Sequence, residues 1–170
     1  MVMEPLIQVR GLKNHFGEHR VHDNLDLDLY PGEILGVVGG SGTGKSVLLR
    51  SIVGLHRPNG GTIRVFGGDL MTLSARERSR TERRFGVLFQ GGALFTSLTL
   101  QENIALTLIE HAGLTRSDAE HLARMKLALV GLPSDAALNY PSELSGGMVK
   151  RAALARALAL DPEVLFLDEP

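Results

Sequence analysis

Residues 39–46 of this 170-residue chain read Gly39-Gly40-Ser41-Gly42-Thr43-Gly44-Lys45-Ser46, and the prediction of the fold begins from them. It fits the pattern G-x-x-x-x-G-K-[ST], it follows the apolar run Ile34 to Val38, and apolar residues at helical spacing over Ser46 to Val53 come after it. We therefore predict a strand buried on both faces of a sheet, then a glycine loop, then a helix. Glycines let consecutive backbone N–H groups converge on phosphate oxygens, and the helix N-terminus adds partial positive charge. The segment, hereafter the phosphate loop, predicts a phosphate-binding site rather than a plain turn with a surface lysine.

Particular residues of the phosphate loop have expected roles toward a nucleotide such as ATP. Lys45 is expected to bridge the β- and γ-phosphates, and the Ser46 hydroxyl is expected to ligate Mg²⁺. The other members contribute backbone N–H groups. The expected nucleotide-binding set is Gly39, Gly40, Ser41, Gly42, Thr43, Gly44, Lys45 and Ser46.

Two acidic residues follow another apolar run near the end of the chain. Val164 to Leu167 predicts a buried strand, and Asp168 and Glu169 stand at its carboxyl end. In a parallel sheet this end lies beside the phosphate loop, so we expect Asp168 to hold the Mg²⁺ shell and Glu169 to take a proton from the attacking water. General-base catalysis contributes about 10²- to 10⁴-fold in rate. Alone, the pair also fits a solvated strand end, but together with the phosphate loop it predicts a nucleotide hydrolase.

A third motif narrows the class of hydrolase. Leu144-Ser145-Gly146-Gly147-Met148 opens a predicted helix over Gly147 to Leu160, and small residues at a helix start form an anion cradle. The order of phosphate loop, Gln90, this signature segment and the acidic strand end resembles that of ABC-type ATPases over nearly the whole chain. The resemblance implies that Ser145 to Gly147 contact the γ-phosphate of an ATP held by another subunit. Two chains would then pack head to tail around two ATP molecules.

The same resemblance gives roles to two isolated residues and completes the site. Phe16 matches the aromatic residue that stacks on adenine, although a lone phenylalanine also fits core packing. Gln90 matches the glutamine whose amide reaches Mg²⁺ and the attacking water. The implied catalytic residues are Glu169 and Gln90, and the implied Mg²⁺ ligands are Ser46, Gln90 and Asp168.

The resemblance also implies the architecture: an α/β P-loop fold of the ABC ATPase type, with a mostly parallel sheet core, an antiparallel β N-terminal part and a helical insert. We expect a β and phosphate-loop core over residues 1–89, a helical subdomain over 90–147 and a return to the core over 148–170. Thr99-x-x-Glu102 and Thr115-x-x-Asp118 are capping-box signatures that predict two helices in the insert. The order of motifs predicts a C-terminally truncated domain whose own hydrolysis is impaired.

Departures from the usual family pattern indicate a subgroup. Met148 stands where many members have Gln, and Val47 stands where many have Thr. The phosphate-loop and signature segments are similar to those of Mla-type, toluene-tolerance-like ATPases of lipid transporters in Gram-negative envelopes. This resemblance implies phospholipid transport by a cytoplasmic subunit that lies on the inner face of the plasma (inner) membrane and drives an integral membrane permease.

Composition limits the alternatives. The 18 Lys and Arg against 19 Asp and Glu give a net charge of −1, which argues against bulk electrostatic binding of nucleic acid. The absence of Cys excludes a thiolate metal site, and no apolar run reaches the roughly 20 residues that a bilayer-spanning helix needs. A soluble ABC ATPase acting on nucleic acid or ribosomes is the main alternative function, and a nucleotide sensor without catalysis is another.

Overall fold

The computed structural model describes residues 3–169 of the chain. These residues form two compact units, one that ends at Glu82 and one that begins at Arg83. The first unit carries the phosphate loop, and the second carries the signature segment and the acidic strand end. Within residues 3–169, no helix is both long enough and apolar enough to cross a bilayer.

A four-stranded antiparallel sheet forms the body of the first unit. Its strands are β1 (Ile7–Phe16), β2 (His19–Leu29), β3 (Gly60–Val65) and β4 (Gly68–Asp69). The strand order is β2-β1-β3-β4, so β1 pairs on both sides. Apolar side chains at alternate positions bury one face of the sheet, because successive residues of a strand point to opposite faces. The sheet confirms the antiparallel part predicted for the N-terminal region.

A bulge in β1 changes which side chains are buried. Gly11, with a φ of +58°, lies where the register between β1 and its neighbours shifts. Before the bulge the odd-numbered side chains Ile7 and Val9 are buried, and after it the even-numbered Leu12 and Asn14 are. Asn14 is therefore fully buried, while Lys13 beside it is exposed.

Two helices complete the first unit. The helix predicted after the phosphate loop is α1 (Lys45–Ile52), which buries Leu48, Ser51 and Ile52. The second is α2 (Ala75–Glu82), a charged helix with only Thr81 buried.

The strand predicted over Ile34 to Val38 does not form. The segment has no regular secondary structure, and its two end residues, Ile34 and Val38, are 99% and 93% exposed. An isolated extended segment cannot satisfy its backbone N–H and C=O groups without neighbouring strands. No strand of residues 3–169 pairs with it, so the apolar run by itself does not make the buried strand that its composition predicts.

The second unit contains a parallel pair of strands, three α-helices and two short 3-10 helices. The strands and α-helices are β5 (Phe85–Leu88), α3 (Leu100–Ala112), α4 (Arg116–Leu129), α5 (Gly146–Ala157) and β6 (Val164–Leu167), and the 3-10 helices are Ser134–Leu138 and Pro141–Glu143. Parallel pairing of β5 with β6 confirms the parallel character predicted for this part of the sheet. The prediction that β6 is fully buried is wrong, since Leu165 and Leu167 are 38% and 46% exposed.

The three helices enclose one apolar core. It is built from small and aliphatic side chains, among them Leu100, Ile104, Ala123, Leu127 and Ala155. Thr99 and Thr115 accept hydrogen bonds at the N-termini of α3 and α4 from backbone N–H groups, as the capping signatures predict. The predicted helical insert is confirmed by α3 and α4.

Candidate functional site

The phosphate loop curls around the ammonium of its own lysine. Lys45 Nζ donates hydrogen bonds to the carbonyl oxygens of Gly39 and Gly40, each at 2.8 Å. Thr43 Oγ1 donates to the same Gly40 carbonyl at 2.9 Å. A Cβ on Gly39 would lie 2.7 Å from that hydroxyl oxygen, so the threonine needs glycine at this position. The loop therefore holds a cation directly at the start of α1.

The helix start itself offers N–H groups to an anion. Gly44 is the N-cap of α1, has a φ of +98° and gives the helix no side-chain cap. The first turn of α1, residues 45–48, contains no acidic side chain. Because the N-cap supplies no side-chain oxygen and the first turn supplies no acidic residue, the helix dipole favours an anion here.

The acidic strand end and Gln90 lie together in the second unit. Asp168 and Glu169 follow β6 directly, and Gln90 comes two residues after β5. Parallel pairing brings the carboxyl ends of both strands to one edge. Gln90 Nε2 donates to Glu169 Oε2 at 2.5 Å. The structure thus joins the two residues that the sequence nominated for catalysis.

Lys150 also lies at this edge, and the sequence analysis did not predict a functional role for it. It lies on α5, and its Nζ donates to the backbone carbonyl of Glu169 at 3.2 Å. Glu169 has a φ of +53°, a conformation that costs a residue with a side chain free energy. The ammonium and the Gln90 amide together hold the glutamate in that conformation. The only sequence signal was a basic residue shortly after the signature segment.

Arg156 is a second residue that the sequence did not nominate. Its guanidinium donates to the carbonyl oxygens of Ala93 and Gly92 at 2.8 and 3.3 Å. Burial lowers the pKa of Arg156 from its usual value. A Cβ on Gly92 would lie 3.3 Å from the Ala153 side chain, so the backbone of the loop approaches α5 closely. Through Arg156, α5 fixes the loop that begins with Gln90.

The signature segment forms the N-terminus of α5. Ser145 is the N-cap, and its Oγ accepts a hydrogen bond from Met148 N at 3.3 Å. Gly146 and Gly147 are exposed, and a Cβ on either would meet nothing within 4 Å. Packing inside the described chain therefore does not require glycine here. The bare backbone suits a bulky anion that approaches from outside.

Phe16 lies at the end of β1 in the first unit and is 51% exposed. Its ring centroid is 5.3 Å from that of His56, with the ring planes inclined at 32°. His56 covers part of the ring, and the exposed part is available to a flat aromatic partner.

The expected magnesium ligands supply only oxygen atoms. Ser46 brings a hydroxyl, Gln90 an amide oxygen and Asp168 a carboxylate, which are donors that Mg²⁺ accepts alongside water and phosphate. Ser46 belongs to the first unit, and the other two belong to the second. Among residues 3–169, no cluster of three or more His, Cys, Asp or Glu provides a metal site by itself. By their chemistry, each of these three side chains is a group that Mg²⁺ accepts.

Comparisons with known proteins match the chain to one family. A family model described as ABC transporter matches residues 22–170. The "Probable ribonucleotide transport ATP-binding protein mkl" of Mycobacterium leprae is 46% identical over 170 residues, which are 100% of this chain and 49% of that protein. The intermembrane phospholipid transport system ATP-binding protein MlaF of Haemophilus influenzae is 46% identical over 97% of this chain and 62% of its own length. MlaF of Escherichia coli K12 is 43% identical over 97% and 61%.

Solved structures give the same result for the fold. A bacterial ABC transporter cassette solved as a dimer has a TM-score of 0.88 and 29% identity, covering 95% of this chain and 72% of that one. Its post-hydrolysis state bound to ADP and Pi has a TM-score of 0.87 and 28% identity, with the same coverage. The chain spans about half to three fifths of the length of the curated relatives described above. It belongs to the ABC transporter ATP-binding family, whose members hydrolyse ATP.

Proposed function

We propose that this chain is the ATP-binding and ATP-hydrolysing part of an ABC transporter subunit. The observation that carries the proposal is the hydrogen bond between Gln90 and Glu169. It puts an amide and a carboxylate at one edge of a parallel strand pair, in a chain that also contains a phosphate loop. This is the donor and acceptor set that hydrolysis of a nucleoside triphosphate needs.

Binding rests on the first unit. The N–H groups of the phosphate loop and of the first turn of α1 receive the phosphate oxygens, and the Lys45 ammonium turns from the loop carbonyls toward the β- and γ-phosphates. The exposed part of the Phe16 ring stacks on the adenine base. Ser46, Gln90 and Asp168 would hold Mg²⁺, which would neutralise phosphate charge when bound.

Hydrolysis rests on the second unit. Glu169 Oε2 accepts a proton from the attacking water, and the Gln90 amide orients that water and the carboxylate. Lys150 holds the backbone of Glu169 while the proton moves. The side-chain contacts given above thereby fix the base before substrate arrives.

We further propose that two copies close head to tail around two ATP molecules. Ser145, Gly146 and Gly147 then contact the γ-phosphate bound by the partner copy. The open space around both glycines supports this step, and the related cassette was solved as a dimer.

The transported molecule is proposed to be a phospholipid, moved by an integral membrane permease on whose cytoplasmic side this subunit lies. The MlaF relatives are named for intermembrane phospholipid transport, whereas the mkl relative is named for ribonucleotide transport.

Affinity purification from membranes, with mass spectrometry of bound proteins and small molecules, distinguishes these two transported substrates. Recovery of permease and phospholipid supports the proposal. Recovery of ribonucleotide without lipid overturns the substrate, and salt-sensitive recovery of DNA or ribosomes overturns the transport role.

Two substitutions test the chemistry. Lys45→Ala is expected to abolish ATP binding, because it deletes the cation of the phosphate loop. Glu169→Gln is expected to retain ATP binding, to slow hydrolysis by about 10²-fold or more, and to trap the ATP-bound dimer in size-exclusion chromatography. Hydrolysis is measured in the complete transporter subunit. Unchanged turnover of Glu169→Gln removes this residue from the role of base, and binding without hydrolysis in the wild type leaves a nucleotide sensor.

A further inference from the structure

A buried polar trio lies between the sheet and α1 of the first unit. Asn14 Nδ2 donates to His22 Nδ1 at 3.0 Å and to Ser51 Oγ at 3.1 Å. Ser51 Oγ in turn donates to Val47 O at 2.8 Å. Asn14 and Ser51 are fully buried, and His22 is 9% exposed. None of these three side chains has a role in the function proposed above.

The hydrogen bonds determine the state of the imidazole. The Ser51 hydroxyl proton is used on Val47 O, so Ser51 Oγ accepts and Asn14 presents its amide N–H groups. His22 Nδ1 must then accept as well, which leaves the proton of the neutral ring on Nε2. Asn14 therefore binds the neutral form of His22 and opposes the charged form, whose Nδ1 would carry a proton of its own.

The other ring nitrogen reaches the phosphate loop. A Cβ built on Gly44 would lie 2.8 Å from His22 Nε2, and it would overlap Val21 Cγ1. Gly44 has a φ of +98° and directly precedes Lys45. His22 thus lies between Asn14 and Gly44, the N-cap of α1. A shift of the ring changes the place of Gly44, and with it the direction of Lys45 and of the first N–H groups.

We propose that His22 is a positioning residue for nucleotide binding, which acts by holding Gly44 in the left-handed conformation from which Lys45 and the N-terminus of α1 receive phosphate. The proposal rests on the function of the phosphate loop given above. Asn14 anchors both ends of the arrangement, because it bonds the ring that contacts Gly44 and also bonds Ser51 near the end of α1.

Burial of the ring disfavours its protonation, and charged side chains from several elements lie near it. Burial lowers the pKa of His22 below its usual 6.5. On α1 the charged residue next to Gly44 is Lys45, whose ammonium is bonded to loop carbonyls. The groove that His22 borders is also lined by Lys13 and His15 of β1, by Glu18 of the turn, and by Arg20 and Asp23 of β2. As pH falls through the pKa of His22, the charged ring loses the Asn14 bond, and the proposal predicts weaker nucleotide binding.

The test compares nucleotide affinity between substitutions at His22 and the same change at an exposed histidine. His22→Leu keeps bulk but removes the acceptor, and it is expected to weaken ATP binding at pH 7.5 tenfold or more. His22→Asn places a non-titrating acceptor near Nδ1, and it is expected to bind less weakly than His22→Leu. His15→Asn is the matched control, expected to change affinity less than twofold. Isothermal titration of the full chain with MgATP gives each Kd, and circular dichroism confirms that each variant is folded.

A pH series separates positioning from simple packing. Between pH 8 and pH 5.5 the ionisation of ATP affects every variant equally. The ratio of each variant's Kd to the wild-type Kd is therefore compared from one pH to the next. The additional weakening of the wild type and of His15→Asn at low pH is expected to be absent in His22→Asn, which cannot titrate.

Three outcomes would overturn the proposal. The first is that His22→Leu binds ATP as tightly as the wild type does. The others are that His22→Asn weakens at low pH as much as the wild type does, or that His15→Asn loses as much ATP affinity as His22→Leu. If His22→Leu does not fold, His22→Asn and its pH profile decide alone. Unchanged affinity in Lys45→Ala is a separate result, which refutes nucleotide binding by the phosphate loop rather than the role of His22.

Discussion

Replacing Gly44 with alanine puts a methyl group into the tightest contact of the phosphate loop. The added Cβ would overlap Val21 Cγ1 and lie 2.8 Å from His22 Nε2. It would also stand on a backbone with a φ of +98°, where residues with side chains are strained. Both costs are absent in the wild-type chain.

The two costs can be estimated separately. A left-handed backbone costs a residue with a Cβ about 1–2 kcal/mol, and an overpacked site typically costs about 1–3 kcal/mol. Gly44→Ala is therefore expected to lower the free energy of unfolding by about 2–5 kcal/mol, which is a large part of the roughly 5–15 kcal/mol that usually separates folded from unfolded protein.

Gly42→Ala is the matched control, because Gly42 has a φ of +77° but a Cβ there would meet nothing within 4 Å. It is expected to show only the backbone cost, about 1–2 kcal/mol. Urea unfolding with linear extrapolation measures both variants. Equal losses of unfolding free energy in the two variants would refute the claim that Val21 and His22 of β2 pack tightly against Gly44.

Thr99→Ala is expected to lower the free energy of unfolding by about 1 kcal/mol in urea titrations, because it removes the cap of α3. The Thr99 backbone N–H, with the hydroxyl, lowers the pKa of Glu102, so this stabilisation is present above the ordinary 4.5 and lost as pH falls through the lower folded value. Arg156→Met leaves two carbonyls unpaired and is expected to cost about 1–3 kcal/mol in the same assay. Lys150→Met is expected to lower kcat for ATP with little change in KM, since the lysine holds Glu169.

Each of these predictions has a control within the chain. Glu102→Gln should flatten the acid dependence of unfolding between pH 5 and pH 3, and an unchanged slope would contradict the assigned cause. Arg151→Met removes one exposed bond to Gly131 O and should cost less than the loss of the two bonds of the half-buried Arg156. A rise in KM without a change in kcat for Lys150→Met would assign that lysine to nucleotide binding instead.

Much of the fold was accessible from the sequence because its signals are local. Capping residues, helical spacing and the glycine loop act within a few positions, and they gave α1, α3, α4 and α5. The acidic residues Asp168 and Glu169 were predicted from the apolar run before them, whereas Gln90 was assigned by the family resemblance. The contact between those two side chains follows from the register of β5 and β6.

Signals that depend on distant partners failed. The apolar run Ile34 to Val38 has the composition of a buried strand, but a strand forms only where neighbours supply hydrogen bonds, and no described strand does so. Lys150 and Arg156 were missed because their contacts join elements that are far apart in sequence. His22 was missed for a further reason: the inward face of β2 changes near Asn24, which has a φ of +63°, and no pattern in the sequence indicates that change.

Because of the bulge, deletion of Gly11 is expected to disturb the sheet less than replacement of Gly11 by a larger residue. If Gly11 is deleted, a regular strand keeps Leu12 and Asn14 on the inner face, because their spacing from Val9 becomes even. If a bulky side chain replaces it, the extra residue stays but its φ of +58° becomes costly, and straightening the strand would turn Lys13 inward. Related chains could therefore differ in length by one residue at this position without a change in which side chains of β1 face the core.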